Sequence, residues 1–239
     1  MIRKEMNSDR KAAIIVGVLY IIGTVAGVLS VIVSWGILDA PDYLNIVALN
    51  ASRAQLTALL ILVMGLSLAM IPAMMFPILK RKNEALAVGY VIFRGALETF
   101  SYIASAICWL LLVVVARQYV DSGAVITSQS GSLGILLVKA IDPTISALLS
   151  IVFSLGALML YYLMYQARLI PRWISGWGII AAVVYLAGGL IAMLGSTLDI
   201  LYLQMLPQEM VMAIWLIVKG FDPSAIASLS AKTDTNEVK

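Results

Sequence analysis

The chain has 239 residues, of which 62% are hydrophobic and 12% are charged, and its mean hydropathy is +1.00. This composition lies outside the range of soluble globular domains and is typical of a protein embedded in a lipid bilayer. The net charge of +3 comes from basic residues that cluster at the ends of apolar segments. It therefore predicts membrane topology and no nucleic-acid partner.

The chain has no histidine and one cysteine, Cys108, which lies inside an apolar run. A disulfide within the chain is excluded, and the usual ligands of zinc, copper, haem and iron–sulfur centres are missing. We expect neither a metal nor a cofactor, and we interpret Cys108 as a small buried hydrophobic residue.

Three apolar segments in the first half of the chain are long enough to cross a bilayer. The first, residues 12–34, follows a basic amino end and is too long for the core of a signal peptide, so it is predicted to be an uncleaved span. The second, residues 54–79, contains Pro72 and Pro77, which should kink it. The short basic turn at residues 80–84 then forces the third span, residues 85–116, to run back antiparallel.

The second half of the chain predicts three more spans. A small and polar loop, residues 122–134, precedes an apolar piece at 135–141 that we interpret as interfacial. Asp142 and Pro143 resemble an N-cap followed by proline at the first helical position, so the fourth span is predicted at residues 143–165. Spans five and six follow at residues 174–194 and 200–218, and Trp173 and Trp177 lie at the interface level that indoles favour.

The basic residues are distributed unevenly between the two sides of this arrangement. Twelve of them lie in the amino end, the second and fourth loops and the tail, against three in the other three loops. Because positive charge marks the cytoplasmic side, both termini are predicted to be cytoplasmic. The sequence thus predicts an all-α bundle of six transmembrane helices in the cytoplasmic membrane, with a single domain at residues 1–221 and a polar, disordered tail at residues 222–239.

Three ionisable residues lie where lipid should be. Arg94 and Glu98 are one turn apart in the third span, and Glu209 lies in the sixth. Such residues are costly unless they face the bundle interior and find partners. Arg94 is ten residues from Glu84 and Glu209 is ten residues from Lys219, so at about 1.5 Å per residue both are about 15 Å deep, near the middle of the bilayer. The matching depth predicts a salt bridge between Arg94 and Glu209, with Glu98 as second partner.

Further candidate residues lie close to this level or near the outer surface. Pro207 removes a backbone hydrogen bond inside an apolar run, which would place Gln208 and Glu209 at the start of a half-helix. Lys139 and Asp142 are candidates for an outer mouth, although a snorkelling lysine beside a capping aspartate also accounts for them. Equally, the charged cluster can be interpreted as a buried pair that only locks two helices together.

Three segments resemble one family of bacterial membrane proteins, catalogued as domain of unknown function 4386. These segments are FPILKRKNEALAVGYVIFRGALE at residues 76–98, LIPRWISGWG at 169–178 and QEMVMAIWLIVKGF at 208–221. The resemblance implies a multi-pass bacterial membrane protein with no assigned activity. It therefore brings no catalytic residues to this chain.

Three functions remain open at this point. Binding or transport of a small ligand, ion or lipid predicts a cavity that reaches Arg94, Glu98 and Glu209. An accessory protein that acts through protein partners predicts a tightly packed cluster without a cavity. An intramembrane enzyme, the third choice, needs a carboxylate that is free of the arginine and reachable by water, and the chain has no nucleophile elbow, phosphate-binding loop or dinucleotide fingerprint to support it.

Overall fold

The computed structural model describes residues 2–125, 128–196 and 198–237, with side chains described only between residues 8 and 231. In this part of the chain every regular element is helical. Six helical segments are long and apolar enough to cross a membrane: Ser8–Ser34, Ala51–Leu79, Glu84–Asp121, Gln129–Ala167, Arg172–Met193 and Asp199–Val218. The predicted all-α architecture of six spans is confirmed for a multi-pass membrane protein.

The first three spans follow the predicted order. Helix α1 (Ile2–Ser34) is joined through the short helix α2 (Tyr43–Leu49) to α3 (Ala51–Leu79). The third span consists of α4 (Glu84–Tyr90), a π-helical segment (Val91–Leu97) and α5 (Glu98–Asp121). The Asn83 side chain caps α4 by accepting a hydrogen bond from the amide of Leu86, which ends the basic turn and starts this span.

The fourth span has two parts that meet at Asp142. Helix α6 (Gln129–Lys139) is followed by a π-helical segment (Ala140–Ile145) and by α7 (Ser146–Ala167). Asp142 has non-helical backbone angles, φ −145° and ψ 125°, so the predicted break at Asp142 and Pro143 is confirmed.

The sequence predicts a loop at residues 122–134 before this break, but helix α6 already begins at Gln129. Residues 129–139 are helical, because Ser128 caps the helix by accepting from the amide of Gly131 and because Gly134 packs closely against Leu44 of α2. Small residues are typical of loops, but in this segment they allow two helices to pack closely. Residues 126–127 of the predicted loop lie outside the described residues.

The last two spans are followed by a helix that the sequence does not predict. Helix α8 (Arg172–Met193) is the fifth span, and a 3₁₀ turn (Asp199–Leu201) leads to α9 (Met205–Val218). The tail then forms α10 (Pro223–Glu237), in which Ala225, Ile226 and Leu229 are buried in the core. The expectation of a disordered tail is therefore wrong for this segment, since a narrow apolar face lies within a polar composition. Residues 238–239 lie outside the described residues.

Contacts between distant parts of the chain define one end of the bundle, which we call the termini end. Arg10 donates to the carbonyl oxygens of Leu216 at 2.8 Å and Ile217 at 2.6 Å, which satisfies the last turn of α9. Arg81 pairs with Asp9 at 3.4 Å. The amide of Asp222 donates to the carbonyl of Leu169 at 2.9 Å. The amino end, the second and fourth loops and the start of the tail thus lie together, as the charge distribution predicts, at one end of the bundle.

Candidate functional site

Arg94 lies at the centre of the bundle and is paired as the sequence predicts. Its Nη2 donates to Oε1 of Glu209 at 2.9 Å, and its Nη1 lies 3.1 Å from Oε2 of Glu98. The contact with Glu98 is an ion pair without hydrogen-bond geometry. The predicted salt bridge between Arg94 and Glu209, with Glu98 as second partner, is confirmed.

Aromatic side chains surround the guanidinium and replace part of its lost hydration. The Cζ atom of Arg94 lies 4.4 Å from the ring centroid of Phe153 and 5.7 Å from that of Tyr20. Such cation–π contacts are stronger where the cation is desolvated. Tyr102 donates to Oε1 of Glu98 at 3.2 Å, so Glu98 is held by a hydroxyl as well as by the arginine.

The backbone around Arg94 is π-helical, and a glycine on the facing helix allows the close approach of α7. A Cβ atom added at Gly156 would lie 3.1 Å from the backbone nitrogen of Arg94 and 3.2 Å from its Cβ. Segments of π-helix are rare in proteins, and many of those that occur lie at functional sites. Together the π-helical segment and Gly156 position Arg94 between α7 and α9.

Glu209 differs from Glu98 in its surroundings. The Glu98 side chain is 1% exposed, whereas that of Glu209 is 12% exposed. Within the described residues, Oε2 of Glu209 has no hydrogen-bond partner, and it is not one of the fully enclosed polar atoms. Pro207 lies in the first turn of α9, where its missing N–H is not needed, so it marks the start of this helix and does not break it.

The exposed side of Glu209 faces a cavity of about 360 Å³, which we call the lateral cavity. Its wall includes Arg94 and Glu209, while Glu98 lies behind them. The rest of the wall comes from α1, α3, α5, α7, α8, α9 and the turn before α9, and it is mainly apolar. Several wall residues, among them Val31, Tyr185 and Leu206, lie in the halves of their spans away from the termini end, whereas Arg94 lies in the near half of the third span.

The exposed residues in the wall of the lateral cavity lie on α1 and α9, and from them we infer that its mouth lies between these two helices. Val28 and Val31 of α1 and Leu206 of α9 line the cavity and are exposed on the outside of the bundle. An apolar outer surface faces lipid when the bundle lies in a membrane. The cavity thus extends from apolar residues on the outer surface of the bundle to the carboxylate of Glu209.

The other predicted site residues lie elsewhere. Gln208 is buried, accepts a hydrogen bond from Tyr161 at 2.6 Å and donates to the carbonyl of Ile174 at 3.2 Å, so it joins α9 to α7 and α8. Lys139 and Asp142 are both exposed, and no salt bridge joins them in the described part of the chain. Neither residue lines the lateral cavity.

Sequence reasoning does not find the aromatic part of this site. The centroid of the Tyr185 ring lies 4.8 Å from that of Phe153 and 4.7 Å from that of Tyr202, and all three residues line the lateral cavity. Aromatic residues are common in apolar helices, and no spacing in the sequence separates these three from the rest. Their role follows only from the way that α7, α8 and the start of the sixth span pack together.

Comparison with known proteins gives one match. The family model described as Domain of unknown function (DUF4386) matches residues 15–220, which is most of the chain and contains every residue of the charged cluster. The searches of curated proteins and of solved structures returned no match.

Proposed function

The chain belongs to the DUF4386 family, whose description names no activity. From the lateral cavity we propose that this protein binds a small membrane-soluble ligand that carries a positively charged or hydrogen-bond-donating group. One observation carries the proposal: a mainly apolar cavity, with exposed apolar residues in its wall, ends at an oxygen of Glu209 that has no hydrogen-bond partner among the described residues. A cavity with apolar walls and few convergent polar groups is the usual form of a small-molecule site.

The charge of the cluster favours a cationic ligand. Arg94 is the only buried basic residue in the part of the chain that the structure describes, and it faces the two carboxyl groups of Glu98 and Glu209. With both glutamates ionised, one positive charge is balanced by two negative charges. An ammonium group beside Oε2 of Glu209 would balance the cluster in surroundings where an uncompensated charge is costly.

The position of the mouth supports entry from the lipid. A ligand that passes between Val31 and Leu206 meets apolar side chains first and reaches Glu209 last. This order suits an amphiphile with one polar group. Transport of such a ligand would need a second conformation in which the cluster is reached from the termini end.

The lateral cavity also separates this proposal from the alternatives. An accessory protein predicts a cluster packed without a cavity, whereas Arg94 and Glu209 line one. An enzyme needs a carboxylate free of the arginine, whereas Glu209 and Glu98 both contact it. Glu98 does not line the cavity, and its buried contact with Arg94 stabilises the fold.

The experiment compares hexylammonium with hexanol, which has the same chain and no charge. A ligand that binds only the folded state raises the melting temperature. We expect hexylammonium to raise the melting temperature of the purified protein, as measured by circular dichroism, and hexanol to raise it less. In Glu209→Gln, hexylammonium should no longer raise the melting temperature above that of the same variant without ligand.

Two tryptophan variants test the path. Leu206→Trp should narrow the mouth and weaken the response to hexylammonium, while Ile214→Trp, on an exposed part of α9 that does not line the cavity, should keep it. Equal responses to the amine and the alcohol, or an unchanged response in Glu209→Gln, would contradict the proposal.

A further inference from the structure

A second cavity lies at the termini end, separate from the lateral cavity. It has a volume of about 510 Å³ and lies between the α7–α8 loop and the segment that joins α9 to α10. Arg168, Arg172 and Lys219 line it, together with Trp215. We call it the basic cavity.

The three cations of the basic cavity have no carboxylate partner among the described residues, whose salt bridges lie elsewhere. Arg172 instead lies over the ring of Tyr165, with its Cζ atom 5.2 Å from the centroid. Asp222 is the one acidic residue in the cavity wall, and its Oδ1 accepts hydrogen bonds from the amides of Ser224 at 2.8 Å and Ala225 at 3.1 Å.

The Ser224 hydroxyl also donates to Oδ1 of Asp222. This bond has the largest effect, and together with the amide bonds it holds the pKa of Asp222 below its ordinary value. Its carboxylate is therefore ionised at neutral pH and is occupied by the start of α10. Three positive charges and one negative charge leave the cavity with an excess of two positive charges.

The start of α8 also suits an anion. The first N–H groups of a helix have no intrahelical partner and attract negative charge. At the start of α8, Pro171 provides no side-chain cap, and both Pro171 and Arg172 line the basic cavity. Arg172 thus lies at the uncapped start of α8, in the same cavity wall as Lys219.

The depth of the basic cavity places it beside lipid headgroups. Its residues come from the ends of spans four, five and six, where Trp173 is exposed and Trp215 is half-buried. Indole rings favour the headgroup level. On the predicted topology this end lies in the cytoplasmic leaflet, where anionic lipids attract basic residues.

We propose that the basic cavity binds the phosphate group of an anionic phospholipid, with Arg172 and Lys219 as the principal cations. Arginine can hold two phosphate oxygens at once, whereas lysine acts as a point charge. The proposal does not depend on a ligand in the lateral cavity.

The experiment measures lipid binding to the intact protein by native mass spectrometry, with phosphatidylglycerol and phosphatidylcholine offered at equal concentration. We expect phosphatidylglycerol to bind more tightly. A direct hydrogen bond from a cation to the phosphate is lost in Arg172→Gln and in Lys219→Gln, so each variant should weaken phosphatidylglycerol binding about tenfold.

Lys82→Gln is the matched control, because it removes one positive charge at the same end from a residue that does not line the basic cavity. It should leave binding unchanged. Equal binding of the two lipids, or an equal loss in Lys82→Gln, overturns the site. Displacement of phosphatidylglycerol by millimolar glycerol phosphate would assign the same phosphate chemistry to a soluble ligand and overturn the lipid as its source.

Discussion

At the scale of single residues, the central feature is that one guanidinium is shared by two carboxyl groups. Arg94 contacts Glu98 at 3.1 Å and Glu209 at 2.9 Å. An arginine in a protein does not give up its charge, whereas a buried carboxyl group can take up a proton. The stability of the cluster therefore depends on whether Arg94 keeps at least one partner.

The first prediction is that the two glutamates act non-additively. Glu98→Gln and Glu209→Gln should each cost about 1 kcal/mol in the free energy of unfolding, because one carboxylate still compensates Arg94. The double variant should cost about 3 to 5 kcal/mol, because it leaves a buried charge unpaired. Unfolding in mixed micelles with increasing denaturing detergent measures all three values.

Adding Arg94→Leu to the double variant should recover most of the lost stability, since the charge that needs a partner is then absent. Additive effects of the two glutamate substitutions, or no recovery on removal of Arg94, would show that the three side chains do not act as one unit.

The second prediction concerns Gly156. A methyl group there would meet the backbone of Arg94 at 3.1 Å, and backbone cannot move aside as a side-chain end can. Gly156→Ala should lower the free energy of unfolding by about 1 to 3 kcal/mol. In Gly176→Ala, where the nearest atom would be 3.9 Å away, the better helix propensity of alanine should make the change neutral or stabilising. Equal effects of the two variants would contradict the close packing at Arg94.

At the scale of elements, two of the irregular segments lie next to the charged cluster. The third span changes from α- to π-helix at Val91–Leu97, and the sixth span has only 14 residues of α-helix, Met205–Val218. Such a helix is about 21 Å long, which is shorter than a bilayer core of about 30 Å. The turn before α9 fills the remaining distance, and Tyr202 from this turn lines the lateral cavity.

The third prediction tests the packing of α10. Ile226 is 6% exposed within the core, whereas Ser228, two residues later, is exposed. Ile226→Ala should lower the free energy of unfolding by about 2 to 4 kcal/mol through the lost methylene groups and the cavity that they leave. Ser228→Ala should be within about 0.5 kcal/mol of the unmodified chain. If the two variants have the same stability, α10 is not packed on the bundle.

At the scale of the whole molecule, the uneven charge distribution predicts the orientation of the bundle. The termini end collects the basic amino end, the turn at residues 80–83 and the α7–α8 loop with Arg168 and Arg172. Positive charge near the spans determines orientation because it is retained on the cytoplasmic side. The basic cavity would then open towards the leaflet that is richer in anionic lipids.

The fourth prediction is that this end is cytoplasmic. In a Cys108→Ala background, a membrane-impermeant maleimide applied to intact cells should label Ser122→Cys and leave Lys82→Cys unlabelled until the cells are opened. Ser122 follows α5 at the other end of the bundle. Labelling of residue 82 from outside would reverse the orientation.

Length and charge in the sequence determined the six spans and the main contact of the cluster. A bilayer has a fixed thickness and contains no water to hydrate a charge, so residue counts from the span ends give depth, and depth brings Arg94 to Glu209. Local chemistry likewise determined the break at Asp142, because the proline that follows it restricts the backbone of Asp142 to extended conformations.

Only the tertiary structure decided which carboxylate is enclosed, that Gln208 joins three helices, where the lateral and basic cavities open, and that residues 223–237 form a helix on the core. Each of these depends on contacts between residues far apart in the chain, such as Gln208 with Tyr161 or Gly156 with the π-helical segment. Sequence periodicity describes one helix at a time, whereas the cavity walls come from six spans and from the small residues that determine how closely those spans approach.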